Sequence, residues 1–264
     1  MGQMGTHAAA VGLYPRLGYR PDEDFEHIGQ ATDTPIVILA RKDFPAANLQ
    51  EFIAAVKLKG DKATQAHGGV GSISHSTGLL FNSVAGLKST MVSYRGSGPA
   101  LNDLMTSVVD YMTDQIVHTA PHIVGGTIKA FGIAIPKRSP AVPDLPTTIE
   151  GGLPGFQASG WNAMFAPKRT PAPIIDKLSA ALDDALEDPN TKQRLLDLGA
   201  ELPEPANRGS AALKRFVAEE IKKWTPVLKG VQSIRASSGE SLPGLDPRVR
   251  LPTGPCRPSC RSGA

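Results

Sequence analysis

Three short segments between Thr64 and Gln115 carry the residue types that could recognise a small anion. They are Gly68-Gly69-Val70-Gly71-Ser72-Ile73-Ser74-His75, Tyr94-Arg95-Gly96-Ser97-Gly98-Pro99-Ala100 and Asp110-Tyr111-Met112-Thr113-Asp114-Gln115. Each sits between a run with strand character and a run with helix character. Glycines there let the backbone come close to a ligand. Hydroxyls and first-turn N–H groups supply donors, and a helix N-terminus favours negative charge. The pattern reads as a binder of small anionic molecules, carboxylates foremost.

Each residue also has a structural reading. Ser72 or Ser74 can hold a ligand oxygen or simply cap the helix that follows, because both uses share one geometry. His75 can touch a ligand or pack against the turn. Gly96, Ser97 and Gly98 can approach a ligand or only make a tight turn ahead of Pro99. Asp114, at the carboxyl end of a strand where open α/β sheets bind ligands, can accept from a hydroxyl, an ammonium or a water, or orient its own loop. Trp161 can wall a cleft or pack in a core. Catalysis is disfavoured. Ser72 and His75 lie on one turn with no orienting acid, and the chain has no G-x-S-x-G elbow. No metal-ligand spacing stands out, and no cofactor motif is present.

The elements that must position these turns follow from periodicity. Ile36-Val37-Ile38-Leu39 reads as a buried strand. Asn48 with Glu51 resembles a capping box, and Leu49, Phe52, Ile53 and Val56 continue at helical spacing to Gly60. Leu79, Leu80, Phe81 and Val84 predict a helix after the first glycine-rich turn. Met91 to Tyr94 predicts a strand, Pro99 the first position of another helix, and Ile128 to Ile135 a further strand. Alternating strands and helices predict a largely parallel sheet. Residues 1–13 read as a turn entering a helix, and 14–27 as a loop. Arg138 to Pro154 reads as turns. Two amphipathic helices follow, one on Ile175, Leu178, Leu182 and Leu186, the other on Leu213, Phe216, Val217, Ile221 and Trp224.

Composition narrows the function classes. The chain has 264 residues, with 41% hydrophobic and 20% charged, ordinary values for a globular protein. Aromatics at 5% are too sparse for base-stacking platforms. The formal charge is +3, and residues 231–264, with five arginines against two acids, carry all of it. The body is therefore balanced and predicts no nucleic-acid face. That Ser-, Pro- and Gly-rich stretch also holds both cysteines, Cys256 and Cys260. It reads as a disordered basic tail of the kind an altered reading frame would produce, and its C-x₃-C pair as fortuitous. No run approaches a membrane span. No charged segment followed by an apolar stretch opens the chain, so the sequence predicts no secretory signal.

Together with Arg138 to Thr147, Gly152-Leu153-Pro154-Gly155-Phe156 and Trp161 to Pro171, the three turns occur in one order. In that order the chain resembles the substrate-binding proteins of tripartite tricarboxylate transporters, the Bug or TctC-like family, from about Gly2 to about Gly230. The resemblance implies an α/β, two-lobed periplasmic-binding-protein architecture of the type II, Venus-flytrap kind. It implies a monomeric receptor without catalytic activity that hands a small carboxylate to membrane transporter subunits. The implied ligand-binding residues are Thr6, His7, Ser72, Ser74, His75, Gly96, Ser97 and Asp114. The implied organisation is a remnant of lobe one in 1–34, lobe two in 35–155, helices returning to lobe one in 156–230 and the tail in 231–264. Gly2 to His7 match the family's second ligand loop, so the chain is expected to start partway into lobe one, with that lobe incomplete. Family resemblance implies the periplasm, whereas a chain made as written would stay in the cytoplasm. A non-functional fragment of such a receptor, or a small α/β hydrolase, are the other expectations.

Overall fold

A computed structural model describes residues 1–14 and 16–237. Strand β1 (Gly2–Gln3) leads into a π-helical turn (Gly5–Ala9) and helix α1 (Ala10–Leu13). There follow β2 (Phe25–Arg41), α2 (Leu49–Lys59), β3 (Thr64–His67), α3 (Ile73–Ala85), β4 (Thr90–Ser93) and α4 (Ser97–Met105). Next come β5 (Tyr111–Gln115), α5 (Ile116–Val124), β6 (Ile128–Ile133) and β7 (Ser159–Pro167). The chain closes with α6 (Ala172–Glu187), α7 (Pro189–Asp197) and α8 (Ser210–Ser237).

Strand β2 organises both sheets. Its first part, Phe25 to Pro35, pairs antiparallel with β7, which pairs with β1. Its second part, Ile36 to Arg41, lies between β5 and β6, antiparallel to both. Beyond β5, strands β3 and β4 complete the second sheet. Only the β3–β4 and β3–β5 pairs are parallel. The expectation of a largely parallel sheet is thus corrected to a mixed one. Strand–helix alternation reports how strands are connected, not which strand fills the space between them. The β5–α5–β6 crossover leaves one position open, and β2 fills it running the other way.

Side chains of β2 alternate between two cores, as a strand covered on both faces requires. Ile36, Ile38 and Ala40 join a large cluster with Phe52, Phe81, Tyr111 and Phe131. Val37 and Leu39 join a second with Ala66, Leu104, Met112 and Ile116 on the opposite face. Phe52 is central to the first, with ring centroids 4.6 Å from Phe131 and 5.5 Å from Tyr111.

Local signals explain the helix starts. Asn48 Oδ1 accepts from Glu51 N–H at 2.9 Å while Glu51 Oε2 accepts from Ala47 N–H at 2.8 Å. Gly60, at φ +57°, ends that helix. Helix α4 begins at Ser97 rather than Pro99. A proline at the third position costs no intrahelical bond, because first-turn N–H groups have no partner within the helix. Helix α8 passes Gly230, the expected end of the ordered body, and reaches Ser237. Val231 to Ser237 contain neither Gly nor Pro, so an anchored helix propagates through them. The rest of the expected tail, with Cys256 and Cys260, lies outside the described residues.

Helix α8 docks through a buried carboxylate. Glu220 Oε2 accepts from Trp161 Nε1 on β7 and from Trp224 Nε1, both at 3.0 Å, and Lys223 Nζ lies 3.0 Å from Oε1. Both indoles are 1% exposed, so Trp161 is a core residue. Glu220→Ala leaves two buried indole donors unsatisfied and is expected to cost about 2–4 kcal/mol in urea unfolding. Glu220→Gln, which keeps an acceptor oxygen, should recover at least half of that loss.

Candidate functional site

The first glycine-rich turn joins β3 to α3. Ser72 caps the helix, with Oγ accepting from His75 N–H at 3.1 Å. Ser74 is 1% exposed, and its Oγ accepts from Gly68 N–H at 2.9 Å and lies 3.1 Å from Ser72 Oγ. His67 Nδ1 accepts from Gly69 N–H at 3.2 Å, and His75 Nδ1 from Gly71 N–H at 3.3 Å. Ser72 N–H goes to Gly69 O. The amides of residues 68, 69, 71, 72, 75 and 76 are engaged within the chain. Among the described residues, the amides of Ile73 and Ser74, the first two residues of α3, have no acceptor, nor has that of exposed Val70. The expectation that the whole turn offers donors therefore narrows to the Val70 amide and the two at the helix start, and only the latter pair gains the helix dipole that favours an anion.

Two other segments press against this turn. A Cβ on Gly5 would lie 2.4 Å from Gly71 O and 3.4 Å from Ile73 N, so the backbone of the N-terminal loop abuts the start of α3 and only glycine fits. A Cβ on Gly68 would meet Gly96 C and Ser97 N at 3.0 Å, which brings the second turn beside the first. Gly96 adopts φ +115°, a glycine conformation, where β4 turns into α4. Tyr14 Oη donates to Val70 O at 3.2 Å and closes one side. The structure thus gathers the backbone of Gly5 to His7, the turn at Ser72, Ser74 and His75, and the turn at Gly96 and Ser97.

Other candidate side chains stand apart. Thr6 is exposed, its Oγ1 is 2.9 Å from His7 Nδ1, and its carbonyl accepts from Tyr19 Oη at 2.7 Å. The His7 ring turns inward, stacked on Phe165 at 4.1 Å and close to Phe25 at 5.1 Å. Asp114 lies on β5 beside Thr113, whose Oγ1 donates to Ser74 O. Alternation along the strand sends Asp114 to the opposite face. There it is 1% exposed, and its Oδ2 lies 3.5 Å from His118 Nδ1. That hydrogen-bonding carboxylate raises the His118 pKa. Asp114 thus lies on the face of β5 away from Thr113 and the Ser74 carbonyl that Thr113 meets.

Several residues were not singled out from the sequence. Gly5, Tyr14, His67 and Thr113 shape the turn. Gln115 Nε2 donates to Thr34 Oγ1, which donates to Gly160 O, and these bonds tie β5, β2 and β7 together where β2 changes sheets. Gly5 and His67 lie in segments already adjoining the named motifs, and position relative to those motifs is the signal that could have found them. Among the described residues no group of three or more His, Cys, Asp or Glu side chains could hold a metal ion.

Burial pushes the His7 pKa down from 6.5 to about 4, with His27 nearby adding to the shift. Between those pH values the unfolded ring holds a proton that the folded ring does not, so stability falls as pH falls through the window. Asp33 acts oppositely, since burial raises its carboxyl from 3.8 to about 6 and its contribution falls as pH rises through that range. His7→Phe keeps the stack and removes the titrating ring. It should flatten the acid loss between pH 6.5 and 4 by on the order of 2 kcal/mol in urea titrations at stepped pH.

Residues 1–232 match the model of the tripartite tricarboxylate transporter family receptor. A protein encoded between ttuE and ttuC′ in Agrobacterium vitis is 37% identical over 84% of this chain and 64% of its own length. Protein BugT of Bordetella pertussis is 30% identical over 84% of this chain and 67% of its own. The chain thus spans about two thirds of the length of these relatives. Among solved structures, MatC from Rhodopseudomonas palustris with bound malate superposes with a TM-score of 0.83 at 46% identity, covering 86% of this chain and 77% of that one. The periplasmic binding protein BugD gives 0.82 at 38%, covering 87% and 76%. The fold is the two-lobed α/β architecture of type II periplasmic binding proteins, and the chain belongs to the tripartite tricarboxylate transporter receptor family.

Proposed function

We propose that this chain binds a small carboxylate in the cleft between two lobes and serves as the extracytoplasmic receptor of a tripartite tricarboxylate-type transporter. Residues 1–34 with 156–230 form lobe one and 35–155 lobe two, joined along β2 and by the chain just ahead of β7. The observation that carries the reading is the pair of unpaired amides at Ile73 and Ser74, at the head of α3 and beneath the Gly5 backbone. Two N–H groups on a helix start match one carboxylate, and such charge-assisted bonds are the stronger kind. No nucleophile, base and orienting acid come together at this turn, so binding without turnover fits the chemistry. Because MatC binds malate and is 46% identical, a four-carbon dicarboxylate is the first ligand class to try. The receptor acts as a monomer in the periplasm and delivers its ligand to membrane transporter subunits. Lobe closure completes the site, since neither lobe alone surrounds the anion.

Calorimetric titration with malate, succinate, citrate and adipate tests this. One or more should bind with measurable heat and remain chemically unchanged. Gly5→Ala should lose binding at least tenfold, because the new methyl group drives the N-terminal loop off Gly71 O. Ser72→Ala should weaken binding by roughly 1–3 kcal/mol through the lost cap and turn geometry. A folded protein that gives no heat with any carboxylate would instead support a fragment without a working site.

A further inference from the structure

His67 ends β3 and is 3% exposed. Its ring lies 4.6 Å from that of His75, tilted by 50°. Each ring accepts a glycine N–H at Nδ1, His67 from Gly69 and His75 from Gly71. A ring nitrogen that accepts an N–H carries no proton, so this geometry calls for the ring proton of each on Nε2. The two glycines they hold are at φ +111° and +81°, in the left-handed region that side-chain-bearing residues avoid. Just before them, a Cβ on Gly68 would lie 3.0 Å from Gly96 C and Ser97 N, so the backbone there is packed closely against the second turn.

We propose that His67 is a positioning residue for the anion-binding turn. Its Nδ1 lone pair, paired with that of His75, directs the Gly69 and Gly71 amides into the protein. The turn then stays in the one conformation that leaves the Ile73 and Ser74 amides uncovered. His75 accordingly acts through its ring on the turn, with its Nδ1 engaged by Gly71. The consequence for ligand affinity rests on the receptor function proposed above, whereas the tautomer and the hold on the turn do not.

Two variants separate positioning from packing. His67→Asn keeps an acceptor at the δ position, and His67→Phe keeps a ring without one. Long-range ¹H–¹⁵N correlation spectra of the full chain should show Nε2–H with an unprotonated Nδ1 for both His67 and His75. Amide exchange at Gly69 should accelerate about tenfold in His67→Phe and stay near the parent rate in His67→Asn, consistent with the loss of one hydrogen bond. Affinity for the carboxylate found by calorimetry should drop about tenfold with Phe and recover with Asn. Protonated Nδ1 on His67 in the parent chain, which needs no variant to fold, overturns the proposal. So does an unchanged Gly69 exchange rate in His67→Phe, the result expected if the ring only fills space. If no carboxylate binds even the parent chain, the receptor function fails, and the spectra and exchange rates still decide the role of His67.

Discussion

One strand must satisfy two sheets at once. Over 17 residues β2 pairs with β7 and then with β5 and β6. Every buried N–H and C=O along it needs a partner, and those partners come from strands far apart in sequence. The register of β2 therefore sets where β5 ends, and the end of β5 sets where α5 starts. The first sheet and the second are coupled through a single backbone, stitched where it changes sheets by Gln115, Thr34 and Gly160. Such a connection holds two halves together while leaving rotation about a few residues available.

The Gly68–His75 turn depends on that frame through polar pairing. Histidine lone pairs, two serine hydroxyls and a threonine from β5 occupy its polar groups almost completely. Among the described residues, what is left over is the Val70 amide and two first-turn amides. A fully paired surround makes the remaining donors costly to leave without an acceptor, and a carboxylate placed there gains the helix dipole as well. The same logic holds Glu220 under its two indoles, where a buried carboxylate is tolerated because it is surrounded by donors.

Glycine is used here for closeness as well as conformation. At Gly5 the backbone conformation is unremarkable, yet a methyl group would collide with Gly71 O. At Gly69, Gly71 and Gly96 the positive φ is itself the requirement. The two uses meet at one place, where the N-terminal loop, the first turn and the second turn touch. A sequence shows the glycines of both kinds alike.

Much of the fold was legible in the residues themselves. Capping at Asn48 and Ser72, the stop at Gly60 and the helical stripes of α3 and α8 are local, because they depend on contacts within one turn of chain. The three polar turns and their chemistry were equally readable, since residue type sets what a turn can donate. Tertiary structure alone decided the rest. The antiparallel course of β2 and the existence of β7 depend on strands that pair across 71 to 142 residues, from Ala40 with Tyr111 to Phe25 with Pro167, and no periodicity encodes which neighbour a strand will find. Thr6, His7 and Asp114 were chosen by their place in motifs. The fold leaves Thr6 exposed, turns His7 onto Phe165 and sends Asp114 to the far face of β5, because strand alternation and packing, not residue type, decide where a side chain points. His67 was passed over for the converse reason: only the folded turn brings its Nδ1 to Gly69. Sequence determined which groups were available for binding, and the packing of distant segments determined which of them remain unpaired.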